Sequence, residues 1–138
     1  MTEIIIDTDK SKLNTTFIND FISNSYWGKG RTLEQTQKII ENSLNFGVYL
    51  GNRQIGYARV VTDFTIFAYI LDVFIVKNER RKGYSKKLMN HILTHPELKN
   101  IENWKLATLD AHGLYEKYGF NKIANPEKMM ERKLNNQE

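Results

Sequence analysis

Apolar residues recur along this chain with two different periods, and the switches between them divide it into elements. Glu3 to Asp7 reads as a short first strand, and Leu13, Phe17, Ile18, Phe21 and Ile22 then follow helical spacing, which puts one face of a first helix on a core. The stretch "SNSYWGKGR", Ser23 to Arg31, breaks that pattern with two glycines around an exposed-looking Tyr26-Trp27 pair. Thr32, with Gln35 three residues later, has the form of a capping box. Leu33, Thr36, Ile39, Ile40 and Leu44 continue a second helix, which Gly47 is expected to end.

Period-two patterning follows. Val48–Leu50 and Ile55–Val61 are β-type runs around "GNRQ", where Gly51-Asn52 supply the positive-φ positions of a hairpin turn. Thr65 to Val76 is the longest run, apolar on both faces except for Asp72, and is expected to be a central strand buried on both sides. Tyr84, Leu88, Met89, Ile92 and Leu93 then recur at helical spacing until Pro96 forbids continuation. Trp104–Leu109 is a further strand, so the third helix is a crossover and its two flanking strands should be parallel. Asp110 is a plausible N-cap for a short fourth helix, Ala111 to Tyr118, stopped by a left-handed Gly119. Phe120–Ile123 and Lys128–Leu134 are expected to form a terminal strand or hairpin, with a frayed "NNQE" tail.

Composition narrows the class. With 138 residues, of which 41% are hydrophobic and 12% aromatic, the chain suits one domain, 1–138, with a real core. Cysteine is absent, which removes disulfides, thiolate metal sites and a cysteine nucleophile together. Three histidines without metal-like spacing lead us to expect no metal. No window approaches the roughly 20 apolar residues of a membrane span, and the N-terminus lacks a basic region followed by an apolar stretch, so a soluble cytoplasmic protein is expected.

Charge changes the picture more. Between Lys77 and Leu88, Lys77, Arg80, Arg81, Lys82, Lys86 and Lys87 oppose the single acid Glu79, whereas the whole chain carries only +4. The basic character is therefore local. It surrounds Gly83 where a strand hands over to a helix, the place where unpaired amides and the helix dipole favour an anion. Such a run can also be solvated surface or a nucleic-acid patch. Asp72 is the second feature, because a carboxylate in a strand fit for burial must be paired, hydrogen-bonded or open to a cleft. A bulge or a partner such as Arg59 is one account, and a functional carboxylate with a raised pKa is the other. The third is "TLDAHGLYEKYGF", Thr108 to Phe120, which leaves Asp110 and His112 at a helix N-terminus.

The strand "YILDVFIV", the loop "RRKGYS" and the later "LYEKYGF" resemble, in order and separation, the GNAT superfamily of acetyl-CoA-dependent N-acetyltransferases. Arg80, Gly83 and Ser85 match that family's Q/R-x-x-G-x-G/A loop, with serine at the last small position. "ATLDAHGLYEKYGF" is similar to a bacterial GNAT subgroup with an Asp-Ala-His-Gly-Leu-Tyr stretch. The resemblance implies a mixed, mostly antiparallel α/β sheet with about four helices and a splayed parallel strand pair at the cofactor site. It implies that the pyrophosphate of acetyl-CoA lies on the amides of Arg81, Lys82, Gly83, Tyr84, Ser85 and Lys86, and the pantetheine arm along Phe74, Ile75 and Val76. It also implies that Tyr115 is the acid beside the thioester sulfur. Many members carry asparagine seven residues before that tyrosine, where this chain has Thr108.

The implied reaction moves an acetyl group to a primary amine by direct attack. Deprotonating an alkylammonium of pKa near 10.4 at pH 7 costs roughly 4 to 5 kcal/mol without a base, for which Asp72 is the first candidate, with His112 and Asp110 behind it. A tyrosine of pKa about 10 protonating a thiolate of about 8.5 is uphill by roughly 2 kcal/mol, so Tyr115 is better described as a hydrogen-bond donor that strengthens as sulfur gains charge. Tyr26, Trp27 and His112 are expected to shape the acceptor pocket, the aromatics by cation–π contact. Two other classes compete: a small basic nucleic-acid-binding module and a non-catalytic acyl-CoA sensor. The first calls for aromatics interleaved with the charges, and the basic segment holds only Tyr84. Nucleic acid and membrane are therefore not expected as partners, the acceptor is a small molecule or a peptide, and a homodimer is left open.

Overall fold

The computed structural model describes residues 3–134, so the "NNQE" tail lies outside the described residues. The chain divides into two compact units, Met1–Ala107 and Thr108–Glu138. The first holds a five-stranded sheet in the order β1-β2-β3-β4-β5, formed by β1 (Ile4–Asp7), β2 (Leu44–Leu50), β3 (Arg53–Thr62), β4 (Phe67–Ile75) and β5 (Asn103–Leu106). The β1–β2, β2–β3 and β3–β4 pairs are antiparallel, and β4–β5 is parallel. Helices α1 (Thr15–Ser23) and α2 (Leu33–Glu41) precede β2, and α3 (Tyr84–Thr94) is the crossover from β4 to β5. With α4 (His112–Glu116) in the second unit, this is the expected mixed, mostly antiparallel α/β fold with four helices.

Helix boundaries follow from local chemistry. Asn14 caps α1 by accepting from the Phe17 amide. Thr32 and Gln35 form the reciprocal capping box of α2, at 3.1 Å and 2.9 Å. The apolar stripes of both helices meet the sheet, where Ile18, Ile22 and Ile40 pack with Tyr57 and Phe74. The C-terminus of α2 departs from the expected stop at Gly47. Asn42 donates to the Lys38 carbonyl, Ser43 to that of Ile39, and Asn45 to that of Ile40, so side chains satisfy the last turn and β2 starts at Leu44. Gly47 lies inside β2, where any Cβ would strike the Tyr49 ring.

Three further expectations are corrected. In the β2–β3 turn Gly51 alone, of the two central residues, has positive φ. Strand β4 is not buried on both faces, since Phe67, Tyr69, Leu71 and Val73 alternate as half-buried positions with its buried ones. The C-terminal segment forms no strand among the described residues. Left-handed Asn125 and Pro126, which has no N–H to give a ladder, instead start a 3-10 turn at Pro126–Lys128.

Removing the capping box tests how much of the α2 entry is local. Thr32→Ala should lower the unfolding free energy by about 1 kcal/mol, read from the urea midpoint at unchanged slope.

Candidate active site

Asp72 sits at a bulge in β4. Arg59 of β3 pairs with Leu71, and Tyr57 with Phe74, so β4 carries one residue more than β3 between these pairs, and Asp72 has φ 53°. In strict alternation Asp72 would face away from Leu71 and Arg59. The bulge turns it back toward Arg59. Its Oδ2 accepts from Arg59 Nε at 2.6 Å and from Arg31 Nη1 at 2.7 Å, and its Oδ1 accepts from Trp27 Nε1 at 2.8 Å. Burial pushes this carboxyl up, but the hydrogen bonds and charges of Arg59 and Arg31 outweigh it and hold Asp72 below its ordinary range. The raised pKa expected of a base is therefore not found, and the account by a bulge and Arg59 describes the residue.

Those same contacts order the α1–α2 loop. Phe74 stacks on Phe21 with centroids 3.9 Å apart, Phe21 meets Trp27 at 6.5 Å, and Trp27 meets Tyr26 edge-on at 5.3 Å. The aromatic series runs from the core outward, with Tyr26 63% exposed at its end. Trp27 is thus tied at its indole nitrogen to Asp72 while its ring stays 40% exposed. Arg31, which sequence reasoning passed over, is the second cation on Asp72. Its signal was that a buried carboxylate needs more than one donor, and a cation sits next to the capping Thr32 in a loop that must fold over the sheet.

Along its other edge β4 is open. Parallel pairing with β5 ends at Ile70–Leu106, whereas β4 runs on to Ile75, so Leu71–Ile75 extends beyond the pairing with β5 among the described residues. Of the residues expected along a cofactor arm, Phe74 pairs with Tyr57, the Ile75 carbonyl accepts from Arg80 Nε at 2.8 Å, and the Val76 amide donates to Ile55 at 2.9 Å. The loop that follows places Arg81 at φ 66° and Gly83 at φ 81°, with Gly83 at the N-cap of α3 and no side chain capping it. Helix geometry leaves the amides of Tyr84 and Ser85 without intrahelical acceptors. A Cβ placed on Gly83 would meet nothing within 4 Å, so the ground before the helix end is open. Glu79, the lone acid of the segment, accepts from Lys82 and Arg53, at 2.8 Å and 2.7 Å, and these bonds hold its carboxyl below the ordinary value. Arg80 and Lys82 therefore brace the loop, a role that composition did not indicate.

In the second unit α4 starts at His112 with Ala111 as its N-cap, so Asp110 is not the cap. Thr108 Oγ1 instead accepts from the Ala111 amide at 3.0 Å and closes the turn before the helix. His112 and Asp110 are exposed. Tyr115 packs edge-on against Phe120 at 6.1 Å, and Gly119 takes the expected left-handed stop at φ 90°. No group of three or more His, Asp or Glu able to hold a metal occurs among the described residues, and no helix among them is long and apolar enough to cross a membrane.

Strand β4 thus runs on past its parallel partner and leads into a helix N-terminus with no side-chain cap. A family model described as acetyltransferase (GNAT) domain matches residues 41–122. A solved Xanthomonas campestris pv. campestris protein assigned to the GNAT family of acetyltransferases is 40% identical, with TM-score 0.93 over 97% of this chain and 95% of that one. Two more distant structures speak for the fold alone. One, from Clostridium acetobutylicum, is a predicted acetyltransferase solved with acetyl-CoA, at 15% identity, TM-score 0.67 and 96% coverage of both chains. The other is glucosamine-6-phosphate N-acetyltransferase from Arabidopsis thaliana, at 14% identity, TM-score 0.69 and coverage of 97% and 99%. No curated protein matches. The chain belongs to the GNAT acetyltransferase family.

Removing the Asp72 charge leaves two arginines facing each other, so Asp72→Asn should destabilise by about 3 to 5 kcal/mol. The sign with pH follows from the lowered folded-state pKa: the carboxylate stabilises above its unfolded value of about 3.9 and ceases to as pH falls through the folded value. The stability gap between wild type and Asp72→Asn should thus shrink below about pH 4, as measured by denaturant unfolding across pH 2.5 to 7.

Proposed function

We propose that this chain is a cytoplasmic N-acetyltransferase that moves an acetyl group from acetyl-CoA to a primary amine by direct attack. The observation that carries this is the open edge of β4 leading into the positive-φ loop at Gly83. It fits an extended arm followed by a pyrophosphate, because backbone groups stand along the edge and amides converge at a helix N-terminus free of any capping side chain. Acetyl-CoA, when bound, supplies the activated acyl group. Arg81 to Lys86 hold its phosphates through backbone amides, and the surrounding lysines and arginines add attraction.

Asp72 acts here as a positioning residue. Its oxygens are committed to Arg59, Arg31 and Trp27, and its proton affinity is lowered, which suits a holder of the loop and not a base. The amine proton then leaves to water or to His112, which is exposed. Tyr115 is the hydrogen-bond donor to the departing sulfur, a role that rests on its place in the Asp-Ala-His-Gly-Leu-Tyr stretch. The family match runs through the boundary between the two units, which supports their acting as one domain.

Acetyl-CoA at about 100 times its dissociation constant should stabilise the protein by roughly 2.7 kcal/mol in a thermal-shift titration, and free thiol should appear with some member of an amine panel. Binding without thiol release from any amine would favour the sensor. Gly83→Val meets no protein atom but forces a β-branched residue to φ 81°, so it should be less stable than wild type and, where folded, lose acetyl-CoA affinity at least tenfold; unchanged affinity would overturn the cradle. For Tyr115→Phe we expect kcat to fall by tenfold or more with cofactor affinity nearly intact, and an unchanged kcat would remove it from the donor role.

A further inference from the structure

An open cleft of about 530 Å³ lies over the Asp72 ion pairs, between α2 and β3. Arg31, Arg59 and Lys38 line it, together with Gln35, Ser43 and the apolar Ile39. Arg31 and Arg59 cannot swing away from it. Both are held by the one Asp72 carboxylate, and their side chains are only 17% and 11% exposed. Arg59 Nη1 also donates to Ser43 Oγ at 3.3 Å. Two guanidinium groups against one carboxylate leave a positive charge in excess at a poorly solvated place, and Lys38 on the cleft wall adds another. The cleft lining contains no acid to offset them.

An uncompensated charge with little access to water is costly, and a fixed planar fork of N–H donors is the group best matched to an oxyanion. We propose that this cleft binds an oxyanion, carboxylate or phosphate, on the acceptor, so that the substrates are amines bearing a negative group. The inference rests on the acetyltransferase reading above and deepens it. Asp72 then has a second consequence: it spaces Arg31 and Arg59 in advance, so that the oxyanion meets donors already in place. Charge also sorts acceptors before contact, since a free alkylammonium without an anion is repelled by the three cations.

Matched pairs test it: phosphoethanolamine against ethanolamine, and β-alanine against β-alaninamide, each with acetyl-CoA and thiol detection. We expect kcat/KM for the anionic member of at least one pair to exceed its neutral partner by tenfold or more; the phosphate and carboxylate pairs distinguish the two sources. In Lys38→Glu that ratio should fall toward one, whereas in Lys99→Glu, an equal charge change outside the cleft, it should hold. Separately and without acetyl-CoA, sodium phosphate should raise the melting temperature of wild type saturably above a sodium chloride control of equal ionic strength, and do so much less in Lys38→Glu. Anion-specific stabilisation lost in Lys38→Glu, with no acetylation of any amine, would keep the oxyanion site and sink the enzymatic reading. Equal use of charged and neutral amines, a ratio insensitive to Lys38→Glu, or no anion-specific stabilisation would overturn the inference while leaving acetyl transfer standing.

Discussion

The arrangement depends on a buried carboxylate that must never be alone. Asp72 is 6% exposed, and the sheet can tolerate it there only because a bulge aims it at Arg59 while the α1–α2 loop brings Arg31 and the Trp27 indole to its remaining lone pairs. Three segments of chain, the α1–α2 loop, β3 and β4, are thereby tied at one corner. The loop that would otherwise hang over the sheet is fixed at both the Trp27 and the Arg31 positions. The aromatic series Phe74, Phe21, Trp27 and Tyr26 adds apolar packing to the same corner.

The bulge also coincides with the end of strand pairing. Parallel contact stops at Ile70, two residues before Asp72, and beyond it β4 keeps its antiparallel neighbour on one edge only. An extra residue bends and twists a strand locally, which is how a sheet ends pairing without ending the strand. One irregularity therefore has two effects: a carboxylate is turned toward the α1–α2 loop, and a strand edge is released on the way to the Gly83 loop. Arg80, bonded back to the Ile75 carbonyl, and Glu79, bonded to Lys82 and Arg53, then hold that loop against the end of the strand. The positive charges of the segment are in part scaffolding.

Legibility in the sequence tracked how local each cause was. The capping box, the order of elements, the crossover at α3 and the left-handed glycines were readable because each depends on a few neighbouring residues. The end of α2 was not, since three polar side chains closed the helix before its apolar period ran out. The terminal hairpin failed because a strand needs a partner, and apolar residues such as Met129 and Met130 do not reveal whether one exists; they are 57% and 94% exposed. At the candidate site, Asp72 and Gly83 stood out from pattern and charge. Arg31 did not, because an ion pair between distant segments leaves no periodicity, and the bracing bonds of Arg80 and Glu79 were not legible in their charges.

By itself the sequence determined the family resemblance, the types of the elements as far as α4 and the place of the basic turn, all of which rest on the order and spacing of residues along the chain. Tertiary structure alone decided what surrounds Asp72. As text, a lone aspartate in an apolar strand reads equally well as a base with raised proton affinity or as an anchor. Only the fold supplies the bulge at φ 53° and the three donors from β3 and the α1–α2 loop that hold this carboxyl low, since the sign of a buried group's pKa shift is set by which charges the fold brings within hydrogen-bonding distance.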